Sequence, residues 1–427
     1  MKQRQLTKLM LFTAGCIGAS AVHASGFQLL EQNASGLGNA YAGSAAVADN
    51  ASTIFYNPAG MTRLQPRAYS VGLTAINTSY KFSNGKSSVG ALATAGNGGD
   101  GGGLGLIPNG YLAWAINKDW YVGIGIGAPF GLKTENNDPW IGAAQSVKFD
   151  VKTININPSV AWRANDSVSL GFGVDWQKID AEYVRRVGIL GAPFFLSSSH
   201  ARLKADDDAW GWNAGLLYQV SPDTRLGISY RSQVEFKLKG NITVTGPNPV
   251  VNALGTSGAK ASLKLPDTFI LSGVHTLNDR WELLADLSWT GWSSIPKLDI
   301  VRSSGAIAQT LDSNFRDTWR TAVGANYRCS DTTKLKFGIA YDQTPIRDDQ
   351  HRLVSLPDNN RVWLSGGAQW AMGKDATLDL GVAYLHIKDS GISNNQGTAP
   401  ALSSRGLVDG KFKSSAWLMG VQYSSNF

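Results

Sequence analysis

From about residue 67 to the C-terminus, apolar and polar side chains alternate with a period of two. Between Val168 and Gln177, one parity holds Leu170, Phe172, Val174 and Trp176, and the other holds Ser169, Gly171, Gly173, Asp175 and Gln177. Lys334 to Asp342 divides the same way, with Leu335, Phe337, Ile339 and Tyr341 against Lys336, Gly338, Ala340 and Asp342. The run from Arg225 to Lys239 reads as one strand, with Leu226, Ile228, Tyr230, Val234, Phe236 and Leu238 on its apolar face. Side chains of a strand point alternately to its two faces, so this pattern describes strands with one apolar and one polar surface. A soluble sandwich meets that description, and so does a membrane barrel with lipid outside and a polar lumen. The run at 225–239 is longer than the roughly five or six residues of soluble strands. It also exceeds the roughly 9–11 residues that cross a bilayer at a tilt.

The connections separate the two architectures. Short turns recur at Asn117–Asp119, Asn165–Ser167, Ser221–Thr224, Leu277–Asp279, Ser330–Thr332 and Gly373–Asp375. Long polar or Gly-rich connections lie between them, near 83–108, 134–146, 186–208, 241–260, 294–315, 343–358 and 389–410. Six short and seven long connections imply 14 strands. An even strand number with short turns on one side and long loops on the other describes an outer-membrane barrel. Trp417, Met419, Val421, Tyr423 and the terminal Phe427 share one parity. Such an aromatic last strand would be an edge liability in a soluble sheet. Strands ending in Phe are characteristic of clients of the outer-membrane insertion machinery. No apolar run of roughly twenty residues follows the first thirty positions, which argues against transmembrane helices.

The first 24 residues have the form of a secretory signal peptide: Lys2, Arg4 and Lys8, then apolar Leu9 to Ala21, then Val22-His23-Ala24 for cleavage. Removing three basic residues lowers the formal charge from +7 to +4, a balance that gives no reason to expect nucleic acid. Cys16 lies near a lipoprotein-type processing site, but Thr13 is a poor fit there. With ordinary cleavage the mature chain keeps only Cys329, so the fold cannot use an internal disulfide.

Residues 25–66 do not alternate. Of the 36 residues from Ser25 to Gly60, 21 are Gly, Ala, Ser or Asn, which suits close backbone packing inside a lumen. A barrel of 14 strands encloses enough space to leak unless it is filled. Here the sequence resembles a known family. Gly26-Phe27-Gln28-Leu29, Ser35-Gly36-Leu37-Gly38-Asn39-Ala40-Tyr41, Ala48-Asp49-Asn50-Ala51 and Asn57-Pro58-Ala59-Gly60 resemble the hatch of the FadL/TodX long-chain fatty acid and hydrocarbon transporters. Pro129-Phe130-Gly131-Leu132-Lys133-Thr134 and Ile156-Asn157-Pro158-Ser159-Val160 resemble the family's third and fourth strands. Trp210-Gly211-Trp212-Asn213, Phe315-Arg316-Asp317-Thr318-Trp319-Arg320 and Pro357-Asp358-Asn359-Asn360-Arg361 continue the match in order. The expected fold is all-β: a 14-stranded antiparallel transmembrane β-barrel (67–427) with an N-terminal hatch (25–66) plugging the lumen.

The resemblance implies a monomeric Gram-negative outer-membrane channel that takes up hydrophobic molecules passively, without a cofactor. Its partners would be a long-chain fatty acid or similar molecule, outer-membrane lipid and lipopolysaccharide, and the insertion machinery. Substrate would pass from an outer groove to an internal pocket and leave sideways at a kink in the third strand. Gly127, Ala128, Pro129, Phe130 and Gly131 interrupt that strand, where Pro lacks a ladder donor and Gly favours a bend. Lateral exit also has a physical rationale, since driving an apolar chain into water costs about 0.8 kcal/mol per CH₂. Ile189, Leu190, Phe194 and Phe195 form an apolar patch in an outer loop that suits landing. The match places Asn57 and Pro58 against the third-strand kink and Phe27 near the internal pocket. Arg316 and Arg320, then Lys178, are lumen-parity cations for a carboxylate. Asp358 and Arg361 are candidates to pair with the hatch.

Other readings fit less well. A barrel hydrolase needs a Ser–His pair, and His200, His275, His351 and His386 lie in no catalytic motif. A general porin would have neither the small-residue plug nor the Pro-broken strand. The Gly98–Gly103 run lacks the Lys-Ser/Thr of a phosphate loop. Asp206-Asp207-Asp208 reads as a solvated loop end in preference to a calcium site, and no Cys/His group has metal spacing. Between fatty acids and aromatic or alkane hydrocarbons, the lumen cations favour fatty acids.

Overall fold

A computed structural model describes residues 26–187, 199–397 and 405–427. The described residues form nineteen strands in one closed antiparallel sheet. In chain order these are β1 (Arg67–Ser87), β2 (Leu104–Ala115), β3 (Trp120–Gly127), β4 (Gly131–Glu135), β5 (Lys148–Arg163), β6 (Val168–Arg186), β7 (His200–Ser221), β8 (Thr224–Arg231), β9 (Val234–Thr245) and β10 (Ser257–Leu265). They continue as β11 (Thr268–Thr276), β12 (Trp281–Thr290), β13 (Lys297–Arg302), β14 (Ile307–Asp312), β15 (Thr318–Arg328), β16 (Thr333–Asp342), β17 (Arg361–Ala371), β18 (Ala376–Asn395) and β19 (Leu407–Asn426). The pairs β3–β4, β8–β9, β10–β11, β12–β13 and β14–β15 are each two halves of one stave. The wall is therefore a barrel of 14 staves. It closes where β1 pairs β19, from Ala68↔Asn426 to Ser87↔Val408.

All six expected short turns join neighbouring staves. In three of them an Asn side chain accepts from two backbone amides: Asn117 from Asp119 and Trp120, Asn165 from Ser167 and Val168, and Asn278 from Arg280 and Trp281. That local bond is why Asn opens such turns. Just above the turns, Trp120 stacks on Trp162 and Trp281 packs on Tyr327 on the outer surface. A second outer ring includes Trp212, Trp319, Tyr341 and Trp417, all exposed. Between the rings lie exposed Val122, Ile124, Leu226, Ile228, Val323 and Val421. An apolar band between two aromatic girdles is the surface a bilayer requires. Trp417, Met419, Val421, Tyr423 and Phe427 all belong to this outer surface.

The long connections differ from expectation. Several segments read as loops continue as strand: β7 begins at His200 within 186–208, β9 and β10 enter 241–260, and β13 and β14 fill much of 294–315. The Asp206–Asp208 run accordingly lies in a strand, with Asp206 and Asp208 exposed on its outer side. The run Arg225–Lys239 is also not one strand. It breaks at Ser232–Gln233, and its register against β7 shifts by one residue, from Asn213↔Arg231 to Asp206↔Lys239. One extra residue turns every later side chain to the other face. Leu226 and Ile228 therefore face out, whereas Val234, Phe236 and Leu238 face in and Glu235, Lys237 and Lys239 face out. The upper barrel is thus apolar inside and polar outside, the inverse of the half below.

Residues 26–66 contain no strand. They form turns, two short 3₁₀ segments and the single-turn helix α1 (Thr53–Tyr56), nearly all buried. This segment packs against the inner wall where wall glycines admit it. A Cβ on Gly338 would lie 2.1 Å from Asn39, one on Gly227 2.0 Å from Ala45, and one on Gly171 2.2 Å from Ala59. Polar bonds fix it in place. Lys336 Nζ donates to Ser35 O at 2.9 Å and to Asp379 at 2.7 Å, and Ser44 Oγ donates to Asp286 at 2.8 Å. The fold makes a direct test possible. Val323→Lys, on the lipid face, is expected to lower barrel stability by about 2–4 kcal/mol. Denaturant unfolding in liposomes checks this, and a soluble sandwich would show almost no change.

Candidate functional site

The third stave carries the break. β3 pairs β2 only as far as Gly110↔Ile126, and β4 pairs β5 alone. Leu104–Asn109 of β2 consequently has a ladder partner in β1 and none toward β4 among the described residues. Pro108 sits in this free edge, where its missing N–H costs nothing. The backbone groups of the break are satisfied from inside. Gln32 Nε2 donates to Ala128 O at 2.7 Å, and Ala128 N donates to Gln32 Oε1 at 3.0 Å. Leu29 N donates to Pro129 O and Gly131 N to Phe27 O, both at 2.8 Å. Residues 27–32 thereby act as a short surrogate strand. Gly127 makes room for it, since a Cβ there would meet Gln32 Oε1 at 2.4 Å. Outside the break lies a cleft of about 530 Å³ whose wall includes Leu106, Pro108, Ile126 and Ala128, and which reaches Leu29 and Phe130 within.

Above the break the lumen is apolar. Phe27, Leu132, Phe149, Tyr183, Leu238 and Phe315 surround a cavity of about 80 Å³. At its floor Trp292 is fully buried, with its ring 5.0 Å from that of Phe27, 6.3 Å from Phe130 and 5.9 Å from Phe315. At its upper end stand three arginines. Arg185 donates to Gln309 Oε1 at 3.1 Å, and Gln309 donates to the Tyr183 hydroxyl at 2.9 Å. Arg302 donates to Gly255 O and Ser257 Oγ. Arg405 is buried, and its Nε and Nη1 have no partner among the described residues. Arg405 and Arg302 lie close enough to Arg185 to act on its charge, and none of the three forms a salt bridge with a carboxylate among the described residues.

Below the break the lumen is polar. Arg320 is buried, donates to Ala40 O at 2.6 Å and lies over the Trp363 ring. Arg361 pairs with Asp358, and its Nε lies 3.9 Å from Asp342. Asp358 also accepts from Gly26 N at 3.1 Å, which ties the start of the inner segment to the wall.

Several expected positions are corrected. Lys178 shares the outward parity of Val174 and Trp176 and sits 4.0 Å from Asp206 on the outer surface, so it is not a lumen cation. Arg316 precedes β15 and is exposed, with Nε donating to Thr344 O at 3.3 Å; its buried neighbour is Phe315. Arg316 lies outside a regular strand, where parity does not predict facing, whereas Lys178 lies within β6 and takes the outward side that its parity with Trp176 gives it. Asn57 and Pro58 do not hold the kink. Asn57 donates to Ala45 O and Leu216 O, and a Cβ on Gly215 would meet both residues. Their place at the kink is taken by Gln32, which carries no motif of its own. Ile189, Leu190, Phe194 and Phe195 lie outside the described residues. The arginine cluster and Trp292 were missed: Arg302 and Arg405 belong to segments read as loops, while Arg185 and Trp292 lie just before two of them. Their signal was the alternation beyond each break, with the opposite face apolar.

Comparison with known proteins completes the picture. The model of the family "Outer membrane protein transport protein (OMPP1/FadL/TodX)" matches residues 15–427. A long-chain fatty acid transport protein of Escherichia coli O6:H1 is 32% identical over 459 residues, covering 100% of both chains. Among solved structures, a FadL homologue of Pseudomonas aeruginosa superposes with a TM-score of 0.85 at 24% identity, covering 94% of this chain and 100% of that one. The Ralstonia pickettii toluene transporter TbuX gives a TM-score of 0.68 at 19% identity, covering 93% and 100%. With a membrane-facing barrel, an inner N-terminal segment and a family match over nearly its whole length, this chain belongs to the OMPP1/FadL/TodX family of outer-membrane transport proteins.

Proposed function

We propose that this chain is a passive outer-membrane channel for long-chain fatty acids. The carboxylate is captured by Arg185, Arg302 and Arg405, and the alkyl chain lies in the apolar upper lumen. The substrate leaves sideways through the gap between β2 and β4. The observation that carries this reading is a set of three guanidinium groups, none in a salt bridge among the described residues, standing at the end of an apolar chamber. Guanidinium matches carboxylate geometry with two parallel bonds, which a neutral hydrocarbon cannot use. The cleft at the break supports the exit, because an apolar chain that moves from the chamber into lipid never crosses water.

In this reading residues 1–24 are an export signal that is removed, 25–66 form a hatch and 67–427 the barrel. The protein works as a monomer amid lipid and lipopolysaccharide, after assembly by the insertion machinery that reads its C-terminal strand. It carries out no chemistry on the substrate. Arg320 and Arg361 organise the hatch, and Ile189, Leu190, Phe194 and Phe195 serve as the landing patch. The relatives' names agree with fatty acids. The aromatic cluster of Phe27, Phe130, Trp292 and Phe315 gives the alternative, an aromatic hydrocarbon, a specific basis.

Displacement of a fluorescent fatty acid from the purified barrel in detergent separates the readings. Oleate should compete, and glucose should not. Replacing Arg185 and Arg405 by Gln should weaken oleate binding roughly 10–100-fold, the equivalent of about one charged hydrogen bond. Toluene affinity should stay unchanged. Competition by toluene alone would move the protein to the hydrocarbon branch, and sugar flux in liposomes without saturable binding would leave a general porin. A second expectation concerns the gap. Leu106→Trp, which narrows the outer cleft, should leave oleate affinity intact and depress uptake into liposomes. Unchanged uptake would rule out the sideways route.

A further inference from the structure

Glu31 lies between the two residues that satisfy the break, Leu29 and Gln32. Its side chain is fully buried. Its own amide N–H lies near the carboxylate, and no other group among the described residues donates to either oxygen. A buried, unpaired carboxylate is among the costliest groups for a fold to hold in charged form. The charged and titratable groups that face it are Arg320 on β15, Asp342 on β16 and Arg361 on β17, with the phenols of Tyr41 and Tyr56 on the inner segment. The two cations make their hydrogen bonds and ion pairs elsewhere. Arg361 pairs with Asp358 and faces Asp342, while Arg320 bonds Ala40 O and faces Asp286. Neither cation donates to Glu31, although Arg361 Nε and Nη1 and Arg320 Nε have no hydrogen-bond partner among the described residues. Burial therefore pushes its carboxyl up to about 8, only partly offset by Arg361 and Arg320.

We propose that Glu31 is a positioning residue for the lateral gap. Protonated, it lets residues 27–32 seat on the kink; ionised, it turns toward water and draws Leu29 and Gln32 away from Pro129 and Ala128. This rests on the gap being the exit proposed above. The direction with pH follows from linkage. The seated state holds the proton up to about pH 8, while the unseated, hydrated carboxyl releases it near its ordinary value of roughly 4.3. Seating is therefore unpenalised below about pH 4.3 and is lost as pH rises toward 8. In that window the seated-to-unseated ratio should fall about tenfold per pH unit.

The test is a distance between spin labels at Leu30→Cys and Asp119→Cys, in a Cys329→Ser background of the full-length barrel in liposomes. Gln32→Leu, which removes the kink's anchor, sets the unseated distance. In the otherwise native chain the seated population should decline between pH 5 and 8. Glu31→Gln should remain seated throughout, and Glu31→Asp, which keeps a titratable proton and guards against a folding defect, should restore the decline. A flat profile in the native chain, or an unchanged slope in Glu31→Gln, would overturn the proposal. Oleate displacement on the same preparations keeps the two claims apart. Normal binding with a flat distance profile sinks only the Glu31 assignment. A sloping profile without oleate binding sinks only the transport reading.

Discussion

In hydrocarbon an unpaired backbone amide has no water to bond, so a barrel wall can be interrupted only where something inside satisfies the freed groups. In this protein the Gln32 carboxamide and the backbone of Phe27 and Leu29 do so. They supply to Ala128, Pro129 and Gly131 the bonds that a neighbouring strand would otherwise make. The rest of the architecture serves that contact. The inner segment has to be held at a fixed height, which its bonds from Lys336, Asp379, Asp286 and Asp358 accomplish. The wall has to admit it closely, which Gly171, Gly227 and Gly338 allow. The gap thus depends on an inner segment that satisfies its backbone groups, and not on an unsatisfied ladder.

The second organising feature is the inversion of the lumen. Below the break the inward side chains are polar, as Asp175, Gln177 and Asn213 illustrate. Above it they are apolar, as Phe236, Leu238 and Leu263 show, while Lys237, Lys239 and Lys264 turn outward. Breaks at Ser232–Gln233 and at Pro266–Asp267 reverse the facing of staves whose apolar parity continues unchanged. A β6 stave without such a break reaches the same end by switching composition, with Asp175 and Gln177 followed on the inner face by Ile179 and Tyr183. The result is an apolar chamber in the upper barrel, with arginines above it and Trp292 beneath.

How much of this was legible beforehand depended on whether a signal was local. The stave number, the six short polar turns and the aromatic C-terminal strand follow from alternation and turn chemistry, which are properties of a few consecutive residues. The small-residue inner segment follows from its composition. The cations did not. Arg320 was placed correctly because it lies inside the regular strand β15. Arg316 precedes that strand, so strand parity does not apply to it, and Lys178 shares the parity of Val174 and Trp176, which face outward. The upper hairpins were read as loops because their apolar face turns inward there and their outer face is rich in lysine.

By itself the sequence determined an outer-membrane barrel of 14 staves with a filled lumen, because a period of two and the spacing of turns admit few other solutions. Only the tertiary structure decided which side chains face each other. Gln32 meets Ala128 across 96 residues, Arg185 approaches Arg405 across more than half the chain, and Glu31 is enclosed by three different strands. Those meetings are set by register and by single-residue breaks. A one-residue shift reverses every later side chain, and the alternation pattern alone does not record it.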